Sequence, residues 1–82
     1  MYDEYIIDLH GCNVEQAISK IILGLANAEN NSYDCALIIT GKGTGAMKTV
    51  VEEYLHSEGL EFELIREGNY LIPIYYQEPF DY

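Results

Sequence analysis

Residues 35–45 read CALIITGKGTG, an apolar run that passes directly into a glycine-rich loop. The unbroken apolar run Cys35–Ile39 is typical of a strand in the centre of a sheet. The loop Gly41–Gly45 leads into an amphipathic helix predicted over 46–57, and Gly59 stands where a helix-ending glycine belongs. A strand, a glycine loop and a helix in this order indicate an α/β domain.

A second strand–helix pair precedes this segment. Residues 4–9 contain the β-branched and aromatic run expected of a strand, and Asn13 with Gln16 forms a capping-box pair. Apolar residues from Val14 to Ala28 then recur on one helical face, and Asn30-Asn31-Ser32 ends the helix. Two strands joined by a helix predict parallel neighbours with a right-handed crossover.

The last third of the chain predicts a hairpin. Leu60, Phe62 and Leu64 alternate with acidic residues, and Gly68-Asn69 is a turn dipeptide. A return strand is predicted over 70–76, where Pro73 favours an edge position or a bulge. The order β-α-β-α-β-β predicts a two-layer α+β sandwich, with a mixed four-stranded sheet and two helices on one face. Residues 1–82 are predicted to form one domain, with a core over about 4–76 and an acidic aromatic tail over 77–82.

Two helices leave the second face of such a sheet uncovered. Its apolar side chains predict either an interface, including a homodimer, or partial cover by the tyrosine-rich tail.

Composition restricts the class of protein. Hydrophobic residues make up 49% of the chain, which is enough for a folded core, and no apolar run reaches the roughly 18 residues of a membrane span. The amino end lacks the basic region of a secretory signal. Cys12 and Cys35 are expected at opposite ends of parallel strands, about 15 Å apart, which is too far for a disulfide. We therefore expect a cytoplasmic protein with reduced thiols and no membrane partner.

The carboxyl ends of the first two strands are the predicted ligand site, because ligands of open α/β sheets gather there. The glycine loop presents helix-end N–H groups suited to phosphate, with Lys42, Thr44 and Lys48 beside it. The alternative is a tight turn that needs positive φ angles. The spacing of a Walker loop is absent, and the chain is too short for the doubly wound fold that Gly41–Ala46 would otherwise suggest.

Asp8 and His10 form the other half of this site. Two residues apart on an extended chain, their side chains point the same way, which suits acid–base chemistry on a water, a ribose hydroxyl or a leaving oxygen. The sequence leaves open whether His10 is a catalyst or only shapes the turn. His56 is expected to be structural, at a helix end. No cofactor or metal is required by the sequence, although Asp8 could hold a hydrated Mg²⁺.

Two motifs resemble those of Smr (small MutS-related) domains. Ile7-Asp8-Leu9-His10-Gly11 is similar to their Asp-Leu-His-Gly motif, and residues 38–48 resemble their Thr/His-Gly-x-Gly motif. The resemblance spans about residues 4–76 and implies the fold of the C-terminal domain of translation initiation factor three. It implies endonuclease activity, with Asp8 and His10 catalytic. It also implies that Thr40, Gly41, Lys42 and Gly43 form a nucleic-acid-binding loop. The predicted phosphate site adds further residues around this loop. The full predicted binding set is Gly11, Thr40, Gly41, Lys42, Gly43, Thr44, Gly45 and Lys48.

The net charge of −10, from 14 acidic and four basic residues, opposes nucleic-acid binding. Arg66 is the only basic residue after Lys48. The leading hypothesis is an endonuclease that prefers RNA to DNA and binds it weakly. The rival is a non-catalytic module that docks on a protein or a ribosomal component through the exposed sheet face. An acidic nucleic-acid mimic is the third. A positive potential around Lys42 and Lys48 would favour the enzyme.

Overall fold

The computed structural model describes residues 3–41 and 45–74, which form two helices and four strands. In chain order these are β1 (Glu4–Asp8), α1 (Val14–Asn30), β2 (Cys35–Ile39), α2 (Gly45–Ser57), β3 (Glu63–Arg66) and β4 (Asn69–Pro73). The predicted β-α-β-α-β-β order is confirmed. No helix in the described ranges is long and apolar enough to span a membrane.

The sheet is mixed, as predicted, with strand order β1-β2-β4-β3. β1 and β2 are parallel, so their carboxyl ends, Asp8 and Ile39, lie side by side. β4 pairs antiparallel with both β2 and β3, which brings Asn69 and Arg66 to that same end. We call this end of the sheet the carboxyl edge.

Helix α1 begins with the predicted capping box. The Asn13 side chain accepts from the Gln16 N–H at 2.8 Å, and Gln16 Oε1 accepts from the Asn13 N–H at 3.0 Å. These two bonds satisfy N–H groups that the first helical turn leaves unpaired. The buried side of α1 includes Gly24, where an added Cβ would lie 2.6 Å from Ile7 Cδ1. This glycine lets α1 approach β1 closely.

The core lies between the helices and one face of the sheet. Its strand residues alternate along β1, β2 and β4, as a two-layer packing requires, whereas β3 is exposed and contributes none. The cluster comprises Ile7, Leu9, Ala17, Ile21, Ala36, Ile38, Val51, Leu55, Tyr70 and Ile72. The Tyr70 hydroxyl reaches the Glu52 carboxylate at 2.8 Å, so its buried polar atom is satisfied. Burial and this bond raise the pKa of Tyr70 far above its usual range.

The hairpin differs from the prediction at both strands. The return strand, predicted over 70–76, is Asn69–Pro73, and residues 75 and 76 lie outside the described residues. The strand β3 starts at Glu63, whereas the Leu60–Leu64 alternation predicted an earlier strand. Leu60 and Phe62 instead pack against the core before the strand begins. The expected edge position of Pro73 is also wrong, because β4 lies between β2 and β3. Pro73 is tolerated since it ends the strand, beyond the residues that β3 pairs, and the irregularity falls on β3 between Leu64 and Arg66.

The second face of the sheet carries apolar side chains. Ile6, Leu37 and Leu71 lie in register across β1, β2 and β4, and Ile6 is 49% exposed. The predicted tail over 77–82 lies outside the described residues. The homodimer stays a prediction.

Both cysteines are free, as predicted. Cys35 is 4% exposed, and burial raises the pKa of its thiol, with Glu4 and Asp34 raising it further. Cys12 is only half-buried.

We therefore expect N-ethylmaleimide at pH 8 to modify Cys12 about tenfold or more faster than Cys35, because thiolate fraction and access control the rate. Mass spectrometry of digested samples over time measures both rates. In concentrated urea the two rates should converge. Equal rates in the folded chain would contradict the burial of Cys35.

Candidate functional site

The two predicted loops meet at the carboxyl edge. The β1–β2 pairing continues beyond the strands, with the Leu9 N–H donating to the Ile39 carbonyl at 2.8 Å. The loop after β1 therefore starts beside the loop after β2. A Cβ on Gly41 would lie 3.7 Å from His10 Cδ2, so the imidazole stands against this glycine. The structure thus brings His10 and the start of the glycine loop together, as their topology predicted.

The Asp8 side chain shapes the turn that holds His10. Its Oδ1 accepts from the His10 backbone N–H at 2.9 Å. Gly11 has φ +81°, and the Cys12 N–H donates to the Leu9 carbonyl at 3.0 Å, which closes the turn. Among the described residues the imidazole makes no hydrogen bond, and His10 is exposed. Asp8 thus holds the backbone of His10, while the ring is exposed and makes no hydrogen bond to another described residue.

Thr40 is a buried anchor of the glycine loop. Its N–H donates to the Gly68 carbonyl at 2.8 Å, and its hydroxyl lies 3.3 Å from that carbonyl and 3.2 Å from the Gly41 carbonyl. At 9% exposure its side chain serves the protein's own backbone. Gly41 follows with φ +85°, a conformation that glycine adopts without strain. Thr40 therefore ties the start of the glycine loop to the turn between β3 and β4.

Lys48, in the first turn of α2, is engaged by a carboxylate. Its Nζ lies 2.6 Å from Glu67 Oε2, in the turn between β3 and β4. Lys48 stands at the predicted site, and a phosphate would have to compete with Glu67 for it. Lys42, Gly43 and Thr44 lie outside the described residues, and Gly45 begins α2.

Two basic residues that the sequence did not assign to the site also lie at the carboxyl edge. Lys20 Nζ donates to the Asp8 carbonyl at 2.8 Å, which joins α1 to the end of β1. Arg66 ends β3 and pairs in register with Asn69. Lys20 lies on the exposed face of α1, and only the packing of α1 along β1 shows what its side chain reaches.

Charge is therefore unevenly distributed. Three of the four basic residues, Lys20, Lys48 and Arg66, lie at the carboxyl edge, and Lys42 follows Gly41 in the sequence. The opposite edge is acidic: Asp3 and Asp34 stand at the amino ends of β1 and β2, where the Asp3 N–H donates to the Asp34 carboxylate at 2.7 Å. The carboxyl edge also carries the carboxylates of Asp8 and Glu67, so the uneven feature is the placement of the basic residues.

Metal ligands are sparse. Within residues 3–41 and 45–74, no three His, Cys, Asp or Glu side chains gather to hold an ion. Mg²⁺ at Asp8 stays a prediction, since a hydrated ion needs only one or two carboxylates.

Known proteins are similar to this chain in sequence and in fold. The family model of the Smr domain matches residues 7–68. The chain is 40% identical to the ribosome rescue factor SmrB of Haemophilus influenzae over 52 residues, which covers 63% of this chain and 31% of SmrB. It is 39% identical to the endonuclease MutS2 of Listeria innocua over 66 residues, which covers 76% of this chain and 8% of MutS2. The chain thus spans under a third of these relatives.

Solved structures of Smr domains have the same fold as this chain. The solution structure of the B3BP Smr domain has the same fold, with a TM-score of 0.77 and 24% identity over 87% of this chain and 78% of that one. The crystal structure of a human small-MutS related domain gives a TM-score of 0.73 with 28% identity, covering 84% of this chain and 99% of that one. Because the family match extends over most of the sequence and the fold agrees, this chain belongs to the Smr domain family.

Proposed function

We propose that this Smr domain binds nucleic acid at the carboxyl edge and cleaves phosphodiester bonds, in RNA in preference to DNA. The observation that carries the proposal is the gathering of basic residues beside an exposed histidine at one edge of an acidic chain. Relatives named as an endonuclease and as a ribosome rescue factor support it.

In the proposed reaction, the His10 imidazole takes the proton of a ribose 2′-hydroxyl, whose oxygen attacks the adjacent phosphorus. The bond from phosphorus to the 5′-oxygen breaks, which leaves a cyclic phosphate and a 5′-hydroxyl that takes up a proton. Loop N–H groups and nearby lysines stabilise the charge that develops on phosphate. RNA is preferred because its own hydroxyl is the nucleophile, whereas DNA requires a positioned water.

The test is a cleavage assay on short single- and double-stranded RNA and DNA. Low salt is needed, because few phosphate contacts are available and salt weakens each of them. We expect RNA to be cleaved slowly and its products to carry cyclic phosphate ends. Failure to cleave any of the four substrates, with binding intact, would overturn the enzymatic half of the proposal.

Freeing Lys48 should tighten binding. Glu67→Gln removes the carboxylate that lies 2.6 Å from Lys48 Nζ, and one added phosphate contact is expected to raise RNA affinity about threefold to tenfold at low salt. Glu29→Gln changes the net charge equally in the last turn of α1, far from the carboxyl edge, and should have little effect. Fluorescence anisotropy measures both. Equal gains in the two variants would mean that only net charge matters.

A second candidate is a non-catalytic module that docks on a protein or on ribosomes. An apolar row on the second face of the sheet favours it, in which Ile6 is exposed while Leu37 and Leu71 are half-buried. It predicts co-sedimentation with ribosomes at salt concentrations that abolish binding to free RNA.

A further inference from the structure

A groove runs along the first two turns of α1, beside the carboxyl edge. It is about 500 Å³ in volume and is lined by Cys12, Glu15, Gln16, Ser19 and Lys20. It is a shallow hollow that is open to solvent, and its described lining residues all lie on α1 or in the turn before it. Of these side chains, the proposed cleavage site uses only that of Lys20, one of the basic residues gathered beside His10.

The groove opens onto the proposed site. Lys20, which forms one wall, donates to the Asp8 carbonyl at 2.8 Å, and Cys12 closes the turn that carries His10. A nucleotide whose phosphate lies at His10 would therefore place its own base, or the next one, in this groove. Sequence-specific recognition of single-stranded RNA works through such splayed bases and their hydrogen-bonding edges.

The polar groups of the groove form two columns on the helix. Glu15 and Ser19 are four residues apart, as are Gln16 and Lys20, so each pair lies on one stripe of the helix surface. Gln16 uses its Oε1 on the cap, which leaves its amide N–H groups as donors. Among the described residues the Glu15 carboxylate makes no hydrogen bond or ion pair. The stripe that contains Glu15 thus offers an anionic acceptor, and the stripe of Gln16 and Lys20 offers donors.

We propose that this groove binds a guanine base of single-stranded RNA, an inference that rests on the proposed function. Guanine presents two adjacent N–H donors, at N1 and N2, to a single carboxylate, and bidentate bonds to an ionised group are the strong ones. Its O6 and N7 acceptors then face Lys20 and Gln16. Adenine and cytosine offer Glu15 one exocyclic amino group and uracil one ring N–H, so guanine satisfies the groove best.

The test uses hexameric RNAs that are all uridine except for one central guanosine, adenosine or cytidine, with oligouridine as reference. Fluorescence anisotropy at low salt should show the guanosine oligomer binding about tenfold more tightly than the others, since a bidentate base contact discriminates by about that factor or more. Glu15→Gln should abolish the preference. Glu53→Gln removes the same charge on the exposed side of α2 and should retain it.

The outcomes separate the two proposals. Oligomers that all bind with equal affinity would overturn the guanine site and leave the proposed function standing, and so would a preference that survives Glu15→Gln. Failure of every oligomer to bind would overturn both. Titration with guanosine 5′-monophosphate, followed by NMR of backbone amides, locates the site: shifts should concentrate at residues 12–20, and shifts confined to other residues would contradict it.

Discussion

Replacement of His10 by alanine is expected to slow RNA cleavage by about 10²- to 10⁴-fold, the usual contribution of a positioned general base. The imidazole is exposed, stands against Gly41 and makes no hydrogen bond within the described part of the chain. The substitution therefore removes no hydrogen bond between described residues. The affinity for RNA should change by less than about threefold, since other groups hold the phosphates. Single-turnover cleavage and anisotropy measure the two effects separately.

The other histidine provides the matched control. His56 lies in the last turn of α2, where its ring packs edge-on against Phe62 at 5.4 Å. His56→Ala should leave cleavage unchanged at a small cost in stability. Equal cleavage by wild type and His10→Ala, with both folded, would assign the activity to a contaminant.

Asp8→Asn separates the two roles of Asp8. The variant keeps an oxygen that can accept from the His10 N–H, so the turn is retained while the charge is lost. A chemical role for the carboxylate predicts slower cleavage by this variant, and a role in the turn alone predicts no change.

Gly68→Ala should be the most destabilising single-methyl change at the site. Gly68 has φ +81°, and an added Cβ would lie 3.0 Å from both the Gly41 carbonyl oxygen and Thr40 Oγ1. The left-handed conformation costs an L-residue about 1–2 kcal/mol, and the crowded contact adds about 1–3 kcal/mol. Relief of the contact requires the base of the glycine loop to move, so nucleic-acid affinity should fall as well.

Gly59→Ala is its control. Gly59 also has positive φ, at +69°, but nothing lies within 4 Å of an added Cβ. Its free energy of unfolding should therefore fall only by the cost of the left-handed conformation, and its affinity for nucleic acid should be unchanged. Urea denaturation and anisotropy of both variants give the comparison. Equal losses of stability would show that the contact with Thr40 and Gly41 is loose.

The patterns of nearby residues determined most of the fold. The bounds of β2, the capping box of Asn13 and Gln16, and the glycine that ends α2 depend on neighbours within a few residues, and all are as predicted. The meeting of the two loops also followed, because parallel strands joined by a helix must end at one edge. The start of β3 was missed, since Leu60 and Phe62 alternate like strand residues and pack against the core without pairing.

Tertiary structure alone decided which distant groups meet at that edge. The bond of Lys20 to Asp8, the pairing of Lys48 with Glu67 and the approach of Gly68 to Thr40 join residues 12 to 28 positions apart. No periodicity in the sequence encodes such distances, because they depend on how closely α1 packs on β1 and on β4 inserting beside β2. The sequence by itself thus determined a domain in which a glycine-rich loop meets a histidine at one edge of the sheet, and only the packing collected its basic residues there.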